Sequence, residues 1–141
     1  MITIATPLMA QIIQAAEESY PNECCGLLAG FGDFDDDVTI TQVRHSNNVA
    51  EEGPYDRFEV DPKVRFDLMR ELEDSPQRVI GHYHSHPDHP AKPSARDLEM
   101  AFEPDLLWLI IALTNGHVTE TSIHRVDTNK PAFIQMPLTT I

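Results

Sequence analysis

The chain has 141 residues, 41% hydrophobic and 23% charged, which excludes wholesale disorder and fits one domain over residues 1–141 with a core of its own. Its 23 acidic and 10 basic residues give a formal net charge of -13, which repels phosphate and argues against a nucleic-acid partner. MITIATPLMAQII lacks the basic opening of a secretory signal and no apolar run is long enough to span a bilayer, so a cytoplasmic protein with no membrane role is expected.

In chain order, MITI reads as a short edge strand. Thr6 as cap and Pro7 at the first helical position then open a helix to about Tyr20, with Leu8, Ile12, Ala15 and Ala16 toward the core. Pro21 ends it, and NECCGLLAG enters a strand in which Gly26 and Gly30 permit tight approach or turns. Cys24 and Cys25 are adjacent, so in an extended segment they point to opposite faces, and no disulfide framework follows. The run DFDDD is a solvated acidic loop without the spacing of a calcium-binding loop. VTITQVR alternates as a half-buried strand, a polar connection runs from His45 to Asp56, and RFEV offers another short strand. Asp61 and Pro62 start a second amphipathic helix that ends around Glu73, with Val64, Leu68 and Leu72 on its apolar face and Phe66 and Met69 nearby. RVIGHYH is the next strand, and a third helix is expected from Ser94 to about Phe102. LLWLIIAL is apolar throughout, as in a central strand buried on both faces, with Trp108 in the core. Asn115 and Gly116 signal a hairpin that returns HVTETSIHRV antiparallel beside it, and AFIQMPL adds a strand or strap. The fold class that follows is α+β, a mixed β-sheet flanked by helices.

Four of the seven histidines fall between His82 and His89, a density that chemistry explains better than packing. Alternate strand residues share a face, so His84 and His86 present two imidazoles to one point. Two His and one carboxylate are a recognised ligand set for a catalytic zinc. Asp97, eleven residues after His86, can supply the carboxylate. Three prolines hold the intervening chain out of helix until Ser94, which reads as an N-cap and places Asp97 in the first turn. Plainer readings stand beside this one: S-x-x-D alone is a capping box, and a lone His in a strand is usually structural. His84, His86, Asp88 and His89 also spell HxHxDH, the signature of metallo-β-lactamase-like hydrolases, yet only 42 residues follow Glu99 to build that larger fold and prolines stand where it has glycines.

His84, Ser85, His86 and Pro87, then six residues, then Ser94 and Asp97 complete the motif HxHPx6SxxD, and PNECCGLLAG matches PxExCGLLxG. On these residues the chain resembles the JAMM (MPN-plus) zinc metallopeptidases, and the likeness runs from the first helix to LLWLIIAL. The resemblance implies a JAB/MPN (cytidine-deaminase-like) architecture. It implies one zinc per chain on His84, His86 and Asp97, with Glu23 as general base and Ser94 steadying an oxyanion. Without it, Glu23 reads as an exposed loop carboxylate. The activity implied is cleavage of the amide bond after the diglycine tail of a ubiquitin-like protein, the tail docking as an extended strand. HSHPDHPAxPS in a short chain looks most like the bacterial branch, which releases cysteine from sulfur-carrier proteins. A broader isopeptidase and a non-catalytic MPN scaffold are the alternatives. His82 is expected to be structural or to back up His84, His89 to face solvent or substrate, and Cys24 to pack in the core.

Overall fold

The computed structural model describes residues 1–51, 53 and 57–141. Its elements are β1 (Ile2–Ile4), α1 (Thr6–Ser19), β2 (Cys25–Gly32), β3 (Val38–Ser46), α2 (Pro62–Glu71), β4 (Arg78–Pro87), α3 (Ala95–Glu99), β5 (Leu107–Thr114), β6 (His117–Val126), β7 (Phe133–Met136) and β8 (Leu138–Thr140). The strands form one eight-stranded sheet in the order β7-β6-β5-β4-β2-β3-β1-β8. β4 and β5 are parallel, as are β1 with β3 and β1 with β8, and the remaining pairs are antiparallel. The sheet is therefore mixed and flanked by three helices, the α+β class expected. No helix among the described residues is long and apolar enough to cross a membrane.

The two faces of the sheet do different work, and side-chain alternation divides them. Leu107, Leu109, Ile111 and Leu113 of β5 join Tyr83 of β4, Leu28 of β2 and Met9, Ile12 and Ala16 of α1 in the main core. The opposite face carries His82, His84 and His86 of β4 beside Trp108, Ile110 and Ala112 of β5, in register. There Leu27 and Ala29 of β2 pack on Leu68 of α2, and Ala91 of the proline loop packs on Ile110 and Ala112. Gly26 is demanded by this arrangement, because a Cβ at that position would run into the Tyr83 ring and the Arg44 carbonyl.

Several local expectations are corrected. β1 is not an edge strand but lies between β3 and β8, because the C-terminal segment returns as two strands, and the second of them takes the edge. Thr6 does not cap α1: the N-cap is Ala5, with no side-chain cap bond, and Thr6 Oγ1 donates to the Ile141 carbonyl instead. RFEV is not a strand, since only Val60 pairs, in a single bridge to Asn48. α2 starts as expected, with Asp61 accepting from Lys63 N–H, but only Leu68 is fully buried, and Phe66 and Met69 are exposed. α3 ends at Glu99 rather than near Phe102, which leaves Met100 and Phe102 exposed beyond it. Of the polar connection from His45 to Asp56, His45 and Ser46 belong to β3, while Glu52 and residues 54–56 lie outside the described residues. The Asn115–Gly116 hairpin is as expected, with both residues at positive φ, the geometry of a two-residue I′ turn.

Candidate metal centre

The site grows from the end of β4. Parallel pairing with β5 buries His84 completely and leaves His86 7% exposed, both on the face away from α1. The chain then leaves the sheet through Asp88, whose φ of 59° turns it sharply, and runs through the proline loop to Ser94. Ser94 caps α3: its Oγ accepts from Asp97 N–H at 3.0 Å, and its own N–H donates to Asp97 Oδ2 at 2.8 Å. That reciprocal box turns the Asp97 carboxylate back toward β4. The plain capping reading of S-x-x-D is thus correct as geometry, and it also delivers the carboxylate to the histidines.

His84, His86 and Asp97 each offer a ligand atom, all within 4.8 Å of one another. His84 Nε2 stands 3.0 Å from His86 Nε2 and 3.4 Å from Asp97 Oδ1, and His86 Nε2 stands 3.2 Å from Asp97 Oδ2. The ligand atoms of a tetrahedral zinc with bonds of ~2.0–2.1 Å stand about 3.3–3.4 Å apart, so the spacing suits that ion. The donor chemistry suits it too. His86 Nδ1 lies 3.0 Å from the Pro90 carbonyl, which cannot donate, so Nδ1 carries the proton and Nε2 turns a lone pair toward Asp97. A lone pair against a carboxylate oxygen at 3.2 Å is repulsive, and either a cation between them or a proton on Nε2 relieves it. Burial pushes His84 below the ordinary imidazole range against the pull of Asp97, keeping the neutral form that ligates metals. Burial pushes the Asp97 carboxyl upward, but the His84 and His86 rings against its oxygens and the Ser94 N–H outweigh that and hold it well below the usual carboxylate range.

The HxHxDH alternative requires Asp88 and His89 to offer ligand atoms beside the same histidines, and neither belongs to the cluster that converges there. Asp88 Oδ2 accepts from Tyr20 Oη at 2.5 Å, and Oδ1 accepts from Asn115 N–H at 3.0 Å. His89 is exposed. Among the described residues, the cluster fit for a metal is His84, His86 and Asp97.

Glu23 is not an exposed loop carboxylate but is 5% exposed. β2 and β4 pair antiparallel with Cys25 opposite His84, and Ser85 N–H donates to the Cys24 carbonyl. Extended by two residues, that register sets Glu23 across from His86. Both residues line one cleft of about 400 Å³, together with Ser94, His89, Lys92 and Arg96. Ser94 Oγ accepts from Asp97 N–H, so its own hydroxyl proton can be donated into the cleft. On the other side of the triad lies an apolar groove of about 290 Å³, lined by Phe58, Trp108, Met100, Phe102 and His82 among others. Burial, followed by the neighbouring His84, pushes the His82 imidazole down to about 3. The two hollows thus flank the triad along one strand face, His82 lining one and His86 the other.

Four residues that shape the site were not singled out for it from the sequence. Phe58 stacks on the His84 ring at 4.1 Å and 12°, orienting an imidazole whose Nδ1 is buried with no hydrogen-bond partner among the described residues. Asn48 Nδ2 donates to the Glu23 carbonyl at 3.2 Å and to the Arg57 carbonyl at 2.8 Å, while Oδ1 accepts from Glu59 N–H, tying the Glu23 backbone to the β3–α2 connection. On β6, His124 Nε2 lies 2.8 Å from Ser122 Oγ, which donates to the Ala91 carbonyl at 2.5 Å, next to the Pro90 carbonyl that holds His86. None of the four carries a motif; only the alternation of TSIH, which puts Ser122 and His124 on one strand face, was there to be read.

A family model described as prokaryotic homologs of the JAB domain matches residues 5–126. The chain is 34% identical over 112 residues to a desampylase of Haloferax volcanii, covering 79% of this chain and 77% of that one. It is 26% identical over 126 residues to a CysO-cysteine peptidase of Mycobacterium tuberculosis, covering 89% and 83%. Among solved structures, a protein of Desulfitobacterium hafniense superposes with a TM-score of 0.83 at 30% identity, covering 100% of this chain and 93% of the other. A JAB1/MPN domain protein of Archaeoglobus fulgidus superposes with a TM-score of 0.63 at 17% identity over 99% and 98%, a likeness of fold.

Proposed function

Because this chain belongs to the family of prokaryotic homologs of the JAB domain, we propose that it is a zinc-dependent hydrolase that cleaves the amide bond after the diglycine tail of a ubiquitin-like sulfur carrier and releases cysteine. The observation that carries the reading is the convergence of His84, His86 and Asp97 ligand atoms within 4.8 Å at the head of a cleft that Glu23 also lines.

In this reading the two Nε2 atoms and the Asp97 carboxylate hold one zinc. Bound there, zinc supplies Lewis acidity, making water nucleophilic near neutral pH and polarising the amide carbonyl. Glu23 takes the proton of the attacking water on its carboxylate and returns it to the departing nitrogen. The Ser94 hydroxyl donates to the oxygen on which negative charge develops. The tail of the carrier reaches the carbonyl from the apolar groove, whose Phe58 wall stacks on the His84 ring. The names of the relatives support both the carrier and the leaving group, since one is named a CysO-cysteine peptidase. The higher identity to a chain named desampylase favours one second reading, a broader isopeptidase whose leaving group is a lysine side-chain amine.

The test is a zinc-loaded chain incubated with carriers extended by one cysteine and followed by mass spectrometry, alongside Glu23→Gln. The wild type removes the cysteine, whereas Glu23→Gln binds zinc as tightly yet turns over about 100-fold or more slowly. Equal turnover by Glu23→Gln removes that residue from the mechanism, and an unchanged carrier with active zinc-loaded protein on isopeptides selects the second reading.

A further inference from the structure

The cleft on the Glu23 side carries a charge pattern that hydrolysis by the triad does not require. In a chain with 10 lysines and arginines against 23 acids, cations are scarce, and two of them in one cleft stand out. Arg44 pairs with Glu71, Lys63 with Asp67, Arg65 with Glu103 and Arg125 with Asp35. Lys92 and Arg96 have no acidic partner among the described residues, and both line the cleft beside Glu23, His86 and Ser94. Their backbone is held firmly. Lys92 lies between Ala91, buried and bonded through its carbonyl to Ser122 Oγ, and Pro93, while Arg96 sits in the first turn of α3 behind the Ser94 cap.

The direction of the substrate follows from the strand. His82 lines the apolar groove, His84 and His86 belong to the triad, and His86 also lines the cleft, so the scissile bond lies between the two hollows. In the reaction proposed above, on which this step rests, the C–N bond breaks. The water oxygen goes to the carbonyl carbon, and its proton passes through Glu23 to the departing nitrogen. Glu23 lines the cationic cleft, so the leaving amine and whatever is attached to it lie there. An amino acid leaving from a chain terminus carries a carboxylate on the carbon next to that amine, whereas a lysine side chain in an isopeptide carries none.

We infer that Lys92 and Arg96 form a subsite for the free α-carboxylate of the leaving residue, which makes the enzyme selective for removing one C-terminal amino acid. The guanidinium of Arg96 offers paired donors to a carboxylate and the Lys92 ammonium a mobile point charge, neither engaged in an ion pair among the described residues.

Three probes with the same Gly-Gly acyl part test this on the zinc-loaded full chain: a C-terminal cysteine with a free carboxylate, the same cysteine as its carboxamide, and the acyl group on the side-chain amine of N-acetyl-lysinamide. The free acid is expected to be cleaved with kcat/KM about tenfold above the carboxamide, the difference residing in KM and shrinking with added salt. K92Q/R96Q brings the acid-to-amide ratio to about one, while K92R/R96K retains the preference. The metal-free chain, titrated with the acid and the carboxamide by NMR, shows the same tenfold preference in binding, independent of turnover. Equal cleavage and equal binding of acid and carboxamide by the wild type overturn the subsite and leave the hydrolase reading standing. Failure to cleave all three probes with zinc bound overturns the hydrolase reading, and the subsite with it.

Discussion

Replacing Asp97 or Asp88 by alanine separates the two metal readings that the histidine stretch allows. Asp97 supplies one of the three ligand atoms, whereas Asp88 is bonded to Tyr20 and the Asn115 N–H, on the side of the β5–β6 turn. In chelator, Asp97→Ala forfeits the bond from Ser94 N–H, half of the α3 capping box, at about 1 kcal/mol, and Asp97→Asn, which keeps an acceptor there, costs less. Zinc at about 100 times its Kd stabilises a folded chain by ~2.7 kcal/mol. For a chain of this size each kcal/mol is worth roughly 3–5 °C, so the wild type gains about 10 °C in Tm on adding zinc. Asp97→Ala and Asp97→Asn lose most of that gain, since two imidazoles without the carboxylate form an incomplete set, while Asp88→Ala keeps it. The assay is thermal unfolding by circular dichroism for each variant in chelator and in zinc. A full zinc shift in Asp97→Ala, together with its loss in Asp88→Ala or His89→Ala, would refute the assignment and restore the HxHxDH reading.

Two further outcomes follow from the packing. Ser122→Ala leaves the buried Ala91 carbonyl and His124 Nε2 without their shared partner and frees the loop whose Pro90 carbonyl orients His86; zinc affinity measured against a competing chelator falls about tenfold, Ser122→Thr restores it, and unchanged affinity in the alanine variant refutes the tether. Burial pushes the Cys24 and Cys25 thiols up to about 11 and about 12. Their raised folded pKa values mean that the stability they contribute is complete below the ordinary thiol value of 9.0 and is lost as pH rises toward 11–12. Urea unfolding of the wild type therefore weakens between pH 9 and 11 more steeply than that of C24A/C25A, and equal slopes exclude the thiols as the cause.

What could be read from the sequence divides along the range of the interactions. The triad was legible because its main determinants are local: strand alternation aligns His84 with His86, and the Ser94 box turns Asp97 toward them, while the distant contacts from Phe58 and Ser122 that hold the rings and the loop were not. α1, α2 and the β5–β6 hairpin were legible for the same reason, through apolar periodicity, an Asp-Pro start and Asn-Gly. The failures are places where a distant segment decided the local structure. MITI became internal because β8 arrives from the far end of the chain to pair with it. Thr6 left the capping role because the Ile141 carbonyl took its hydroxyl. RFEV, which has the composition of a strand, gives Phe58 to the His84 ring and keeps a single bridge at Val60.

Glu23 is the sharpest case, because no property of NECCG by itself says where its carboxylate goes. Its position depends on the register of β2 against β4, and a slip of one residue would turn Glu23 to the α1 face, away from His86. Three contacts resist that slip. Gly26 lies under the Tyr83 ring where no other residue fits, Cys24 N–H donates to Ser85 Oγ at 2.7 Å within the core, and Cys25 sits buried opposite His84. The ECCG run is thus a register lock as much as a strand. The residues that look structural in it are the ones that set the proposed base beside the triad, so substitutions there bear on chemistry without touching a ligand.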